Sequence, residues 1–332
     1  MKTTWPLSGI TLVCTECKSD LYEADNCLIC KTCGLEYAWE EGLASMLIDR
    51  PVAEKLAEGA AQKEAIIGMF DSINQSLEEK RLSRFSTFIN WGYASDNELP
   101  GGLQGINHSS IQLLREIIGG LDVSGKDILE IGCGRGGNVS ELCKNYGTGS
   151  VVGIDLTPSN IQFCQRNNRY EQAYYCIGDA EQLPVKTESC DIVLNIESSH
   201  LYPHIELFFT ETYRVLKPGG TFLYADIMSA SDVPHYEEQW QRLGFHTSLI
   251  RDITGNVLQS GDDALETRLH ALKGSLEGED RVWEWLEAPG TQNHTDMVAG
   301  RRVFKIVHLV KMPPAPKESL AMVEGGAAVS NA

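Results

Sequence analysis

The feature that most constrains this chain is the run Glu130-Ile131-Gly132-Cys133-Gly134-Arg135-Gly136-Gly137, set between an apolar segment and a helical one. Glycine reaches backbone conformations closed to other residues and lets the main chain approach a ligand closely. The segment before it, Asp127 to Ile131, reads as a strand, and the segment after it, 137–145, as a helix. A strand, a glycine turn and a helix open a βαβ unit, which commits the chain to a mostly parallel sheet with helices on both faces.

The alternation continues downstream. SVVGID is a second strand ending at Asp155, and Pro158 opens a helix through about Asn168. AYYCIGD and CDIVLNI are the third and fourth strands. HIELFFTETYRVL is an amphipathic helix closed by Lys217, Pro218 and Gly219, and TFLYADI is the fifth strand. A short helix at 235–243 and the strand FHTSLIRDI follow, then a helical lid insertion at about 254–287 and a closing strand at 301–311. Residues 121–311 are therefore expected to form one α/β core. Upstream, 49–120 reads as a helical linker and cap. Apolar residues recur at spacings of three and four over 51–90 behind Pro51, and a further helix runs from Ser109 to Ile118. The Pro-, Gly- and Ala-rich stretch 312–332 has no periodicity and reads as a disordered tail.

The 332 residues carry a net charge of −18. Nucleic-acid phosphates ask for a Lys/Arg stripe, so this balance argues against a polyanionic partner and leaves small or apolar acceptors open. No apolar run is long enough to span a bilayer, and residues 1–10 lack a secretory pattern. A cytoplasmic location is expected. A monomer and a homodimer both fit.

Of the ten cysteines, Cys14, Cys17, Cys27, Cys30 and Cys33 crowd the first tenth of the chain. Two C-x2-C pairs suit tetrahedral zinc, and four thiolates leave no open coordination position, which makes the site structural. Cys27 and Cys30 also form a C-x2-C, so spacing leaves the second pair open. Cys30/Cys33 is preferred because the CxxCG run resembles a zinc-ribbon knuckle; the predicted ligands are Cys14, Cys17, Cys30 and Cys33, in a module spanning 1–48. Residues 10–48 resemble short zinc domains attached to certain methyltransferases, some of which act on ribosomal RNA.

A carboxylate at Glu130 would repel a pyrophosphate but suits a cationic ligand group. Asp155 and Asp179 stand at the carboxyl ends of successive strands, the edge where ligands bind such sheets. Asp155 can accept ribose hydroxyls, and Asp179 an adenine amino group beside the Ala180 amide. Over about residues 85–310 these runs resemble the class I S-adenosylmethionine-dependent methyltransferases: ILEIGCGRGGN, VVGIDLTPSNI, GDAEQLPVKTESCDIVLNIESSH and YRVLKPGGTFLYAD match that family's motifs in order. The resemblance implies S-adenosyl-L-methionine as cofactor. It places Glu130, Gly132 and Gly134 at the methionine end, Asp155 at the ribose and Asp179 and Ala180 at the adenine. Asn195 falls near the sulfonium, Cys133 and Leu156 lie in the same two loops, and Tyr93 approaches from the cap.

INHSS, LNIESSHLYPH and FINWGYA resemble the branch acting on lipids, sterols and polyketides. The implied reaction is methylation of a small hydrophobic natural product or lipid, at oxygen in the first instance. Carbon or nitrogen methylation is an alternative, as is an RNA base methyltransferase that uses the knuckle for substrate capture. A non-enzymatic scaffold would not need acids at three strand ends. His200, after the fourth strand, is the candidate general base, with Glu197 as second base or orienting partner. His204, four residues on, could face the same way as His200 if the segment is helical and would then suggest a metal with Glu197, a minor reading beside that of a base. His108 could close over the site. Tyr202, Trp240, Trp283 and Trp285 could line an acceptor pocket.

Overall fold

The computed structural model describes residues 9–40, 42–48, 59–95, 107–273 and 288–313. Four short strands, β1 (Leu21–Ala24), β2 (Cys27–Cys30), β3 (Glu36–Glu40) and β4 (Leu43–Ser45), form the N-terminal knuckle. They are followed by helices α1 (Ala60–Glu79) and α2 (His108–Ile118). The alternating core comprises β5 (Ile128–Ile131), α3 (Gly137–Asn145), β6 (Val151–Asp155), α4 (Pro158–Asn167), β7 (Ala173–Ile177), β8 (Cys190–Ile196), α5 (Ile205–Val215) and β9 (Leu216–Ser229). Then come α6 (Val233–Leu243), β10 (Phe245–Asp252), α7 (Thr254–Leu272), α8 (Gln292–Val298) and β11 (Arg302–Lys311).

The eleven strands of the described residues form one sheet, in the order β1-β2-β3-β4-β7-β6-β5-β8-β9-β11-β10. The strands from β4 to β9 run parallel, and both ends of the sheet are antiparallel. The strand order reverses direction at β5, whose neighbours are β6 and β8. Its carboxyl end is therefore the switch point at which such sheets open a crevice.

The central strands are apolar on both faces because both are covered. Leu129, Ile131, Val152, Val193 and Phe222 join one buried cluster with Phe208, Phe209 and Trp240 from α5 and α6. Their alternates Ile128, Val151, Ile192, Leu194 and Leu223 join the other, with α2, α3 and α4. This period of two is the strand geometry itself. The knuckle does not hang free. Ile10, Cys14, Tyr37 and Trp39 belong to the first cluster, and β4 pairs in parallel with β7 through Ala44 and Cys176. Each large apolar side chain so buried stabilises by about 1.5–3 kcal/mol.

One expectation changes. The helix expected over 51–90 is seen only as Ala60–Glu79; Pro51 lies outside the described residues, and 80–95 is turns and extended chain. The reason lies in Arg135, whose guanidinium takes the carbonyls of Ser83 and Ser86 that a continuing helix would use. Of the insertion expected at about 254–287, helix α7 is described; 274–287, with Trp283 and Trp285, and the tail beyond 313 lie outside the described residues. Among the described residues no helix is long and apolar enough to cross a membrane.

Candidate active site

Beyond β5 the chain turns through Gly132, Gly134 and Gly136, with φ of +69°, +52° and +71°. Gly132 also has no room for a side chain: a Cβ there would stand 2.1 Å from Ser198 Oγ and 2.8 Å from the Tyr202 hydroxyl. The loop is fastened by Asp155 at the end of β6. Its Oδ2 accepts the Gly134 amide at 2.8 Å, and its Oδ1 accepts the Thr157 amide at 2.8 Å and the Asn160 side chain at 3.1 Å. Burial pushes the Asp155 carboxyl up, against these hydrogen bonds. A carboxylate has about four lone-pair positions, so little of this one is left for an incoming hydroxyl.

Three buried acceptor atoms around the loop have no close hydrogen-bond partner among the described residues. Glu130 accepts Asn138 Nδ2 at 2.7 Å on Oε1, while its Oε2 has none. Burial pushes Glu130 up to about 8, with the Asn138 hydrogen bond opposing and Asp155 adding. Asn195 donates to the Ile131 carbonyl at 2.8 Å and to the Tyr202 hydroxyl at 3.1 Å, and its Oδ1 is left over, as is Asn138 Oδ1. Unpaired buried acceptors cost stability and suit a site built to receive a cation.

Two lobes, each with about 500 Å³ of empty space partly open to solvent, meet over this loop. Both touch Phe70, Gly132, Asp155, Ser198 and Leu201. The first lies beside Leu156, Asp179 and Ala180, and the second beside Glu130, Cys133, Gly134 and Glu197. Cys133 contributes mainly backbone, since its sulfur packs behind the loop, where a Cβ on Gly153 would meet it at 2.8 Å. Tyr93 packs into the second core cluster and binds the Ser109 carbonyl through its amide; it stands outside the residues bordering either lobe.

Sequence reasoning missed the wall formed by α1. Lys63 reaches Asp179 Oδ2 and Glu181 Oε2, each at 2.6 Å, and Ile66 and Phe70 face the same lobe. The spacing 63, 66, 70 is a helical stripe, a signal present in the sequence but without a stated partner. Arg135, also missed, points away from the cleft. It donates to Ser86 O at 2.6 Å, to Ser83 O at 2.8 Å and to Asn74 Oδ1, and lies 3.7 Å over the Phe163 ring. Asn74 in turn donates to Asn160 Oδ1 at 2.8 Å, so α1 is wired to the same residues that fix Asp155.

On the other side of the loop, β8 is followed by Glu197, which has φ of +50° despite its side chain. Such backbone cost is concentrated at functional sites. Glu197 Oε2 accepts the Trp91 amide at 3.0 Å. Burial pushes Glu197 up to about 8, against that hydrogen bond and the nearby His200. His200 Nδ1 lies 2.8 Å from Asp226 Oδ1, and Asp226 is fully buried near the end of β9. Asp226 Oδ2 accepts the amides of Ser198 and Ser199 and the Ser199 hydroxyl. Burial alone would raise Asp226; His200 and these hydrogen bonds overcome it and hold the acid below its ordinary value. With Nδ1 donating to Asp226, Nε2 is the basic nitrogen of the ring.

His204 does not share a helix with His200. His200 sits in the short turn Ser199–Leu201, whereas His204 precedes α5 and gives its amide to Glu181 Oε1 at 2.7 Å. The minor reading of Glu197, His200 and His204 as a metal set therefore gains no support. His108 opens α2 and is not among the residues bordering the lobes. Tyr202 borders the first lobe, but Trp240 is fully buried core, packed against Phe209 and Tyr224.

At the knuckle, the sulfurs of Cys14, Cys17, Cys30 and Cys33 lie within 4.8 Å of one another, the one group of three or more such ligands found among the described residues. The amides of Thr32 and Cys33 point at Cys30 Sγ at 3.4 Å, as befits a charged sulfur. The residue after each pair, Lys18 and Gly34, is left-handed, with φ of 56° and 74°. The two turns thus repeat one geometry, although only one carries glycine. Cys27 is elsewhere, its sulfur donating to the Ala24 carbonyl at 3.2 Å. The donor set fits a structural metal ion.

Residues 129–224 match the model of the family described as a methyltransferase domain. The chain is 41% identical over 209 residues to the fatty-acid O-methyltransferase of Mycolicibacterium smegmatis, covering 61% of this chain and 74% of that protein. It is 35% identical over 196 residues to the phthiotriol/phenolphthiotriol dimycocerosates methyltransferase of Mycobacterium tuberculosis, covering 56% of this chain and 72% of that protein. The solved geranyl diphosphate C-methyltransferase of Streptomyces coelicolor A3(2) shares the fold at a TM-score of 0.53 and 16% identity, covering 79% of this chain and all of its own.

Proposed function

The chain belongs to the class I S-adenosylmethionine-dependent methyltransferases, and from that premise we propose that it methylates an oxygen of a small aliphatic lipid or related hydrophobic natural product. The observation that carries this reading is the contact of Gly132 with Ser198 and Tyr202. It brings the glycine loop after β5 against the turn from Glu197 to Tyr202, which borders the lobes through Glu197, Ser198 and Leu201. His200 lies in the same turn but is not among the bordering residues. A donor held by the loop thus faces an acceptor held by the turn.

S-adenosylmethionine would supply an electrophilic methyl group on its sulfonium. The unpaired oxygens of Glu130, Asn138 and Asn195 fit its ammonium and sulfonium end, and Asp155, whose carboxylate mainly fastens the loop, keeps room for one ribose hydroxyl at most. Asp179, Ala180 and Leu156 border the lobe left for the adenine. His200 Nε2 takes the proton from an acceptor hydroxyl, and the Asp226 carboxylate stabilises the imidazolium so formed. An acceptor that is already a carboxylate needs orientation more than a base. Glu197 is held mainly protonated near neutral pH and orients through the Trp91 amide. Cys14, Cys17, Cys30 and Cys33 are proposed to hold zinc, which fixes the knuckle against the sheet.

The test is methyl transfer from labelled S-adenosylmethionine to a panel of long-chain acids, long-chain alcohols and phenolic lipids, with product ester or ether identified by mass. Labelled product from RNA, with none from lipids, would overturn the acceptor class while leaving the family intact.

A further inference from the structure

Gly178, Asp179, Ala180 and Glu181 border the first lobe, and the knuckle grips the chain on both sides of them. On the amino side, β4 pairs with the end of β7 through Ala44 with Cys176 and Ser45 with Ile177. The Met46 amide then donates to the Ile177 carbonyl at 2.8 Å. On the carboxyl side, Leu12 bridges Val185, the Val13 amide donates to the Pro184 carbonyl at 2.8 Å, and the Lys186 amide donates to the Thr11 carbonyl at 3.0 Å.

Lys18 adds a side-chain link to this grip. It follows Cys17 directly, and its amide donates to the Cys14 carbonyl at 3.0 Å. Its Nζ donates to the Leu183 carbonyl at 3.2 Å and to Glu211 Oε2 at 2.9 Å. Leu183 ends the short turn Ala180–Gln182, which Asp179 caps by accepting the Glu181 amide at 2.9 Å. One side chain thus runs from the first cysteine turn to the turn that carries Ala180. Arg214 donates to the same Leu183 carbonyl at 3.1 Å and to the Val185 carbonyl at 2.7 Å. These contacts hold main-chain carbonyls, so they fix the path of the backbone as well as filling space.

Both sides of the grip lead back to the cysteine cluster. Val13 and Lys18 flank Cys14 and Cys17 in the chain. β4 pairs with β3, and β3 with β2, whose last residue is Cys30. An ion held by both cysteine pairs ties the two sides together. A turn held at both ends has fewer conformations to lose when a ligand binds, and that preorganisation favours affinity.

We propose that the knuckle is a clamp on the adenine end of the cofactor site, with Lys18 as the positioning residue that joins it to the turn at 180–182. This rests on the placement of the adenine at Asp179 and Ala180. Cofactor and metal then strengthen each other's binding by one and the same factor, because coupling between two sites is reciprocal.

The experiment measures, by calorimetry, the binding of S-adenosylhomocysteine and of S-inosylhomocysteine, which carries a carbonyl oxygen in place of the adenine amino group. The proteins are wild type, Lys18→Met and Lys18→Arg, each with its zinc content determined. Lys18→Met is expected to weaken S-adenosylhomocysteine by about fivefold or more and S-inosylhomocysteine much less. Lys18→Arg, which keeps a charged donor, is expected to recover most of that loss. In equilibrium competition with the zinc chelator pyridylazoresorcinol, saturating S-adenosylhomocysteine is expected to raise the zinc affinity of wild type, and to raise it less in Lys18→Met. Unchanged affinities in Lys18→Met, or equal weakening of both ligands, overturn the positioning role of Lys18. A wild-type zinc affinity unmoved by the cofactor product overturns the clamp, and this arm decides even where Lys18→Met fails to fold. A wild type that binds both ligands equally well overturns the adenine placement, and the clamp with it.

Discussion

The imidazole of His200 is held 2.8 Å from the buried carboxylate of Asp226, across two neighbouring parallel strands. Ile196 of β8 pairs with Ala225 of β9, so the residues that follow them emerge at one height on the sheet edge. Asp226 borders neither lobe, and in the proposed reaction it would act through His200, as a positioning residue. Asp226→Asn preserves shape and removes charge. With an alcohol acceptor it is expected to lower kcat by about 10²–10³, as His200→Ala does, with cofactor affinity retained. The double variant should be no slower than the worse single one, because the two act as a unit. Additive losses in steady-state kinetics would separate them.

Glu130 sets a pH dependence. Its ordinary value is 4.5 and its folded value about 8. The folded chain therefore bears no penalty from it below pH 4.5, a growing one as pH rises, and the full one above about 8. Glu130→Gln removes that penalty. Without cofactor, the variant's melting temperature should exceed that of wild type by a margin that widens across this window and then levels. S-adenosylmethionine should bind wild type more tightly as pH rises toward 8 and release a proton on binding, seen by calorimetry in buffers of different ionisation enthalpy. Neither trend should appear in the glutamine variant.

Lys63 neutralises two acids at once, and the Glu181 side chain is only 1% exposed. Lys63→Met should destabilise the fold by about 3 kcal/mol, at the lower end for breaking a buried pair because Asp179 keeps some solvent contact. Adding Glu181→Gln should restore part of that. Urea midpoints read both, and an unchanged midpoint in the single variant would show that α1 docks without this contact.

The knuckle should carry one zinc ion per chain by elemental analysis. Cys14→Ser and Cys30→Ser should lose it and melt roughly 10 °C lower, several kcal/mol at about 2–4 °C each. Cys27→Ser should keep the metal, because its sulfur is spent on the Ala24 carbonyl. Zinc loss in the Cys27 variant would reverse the ligand assignment.

Much of this site is legible in the chain. Gly132, Asp155 and Asp179 stand out because each closes an apolar strand, and strand-end position is a local property. The pair Cys14/Cys17 is equally local. The choice of Cys30/Cys33 over Cys27/Cys30 is not, since both satisfy the same spacing; the hairpin of β1 and β2 decides it by turning Cys27 away. The relation of His204 to His200 stays open in the sequence for a related reason. A spacing of four means one face only if the segment is helical, and it is not helical between Leu201 and Ile205.

The sequence by itself determined the βαβ alternation, the glycine turn, the acids at the strand ends and the cysteine pairs. Each depends on residues a few positions apart, where periodicity and backbone sterics act directly. Tertiary structure alone decided what those residues meet: Asp226 behind His200, Lys63 over Asp179, Arg135 holding the cap, and the knuckle packed into the core of the sheet. These contacts join segments dozens of residues apart. They follow from strand order and from which face each helix covers, which are set by the burial of the whole sheet and by no local pattern.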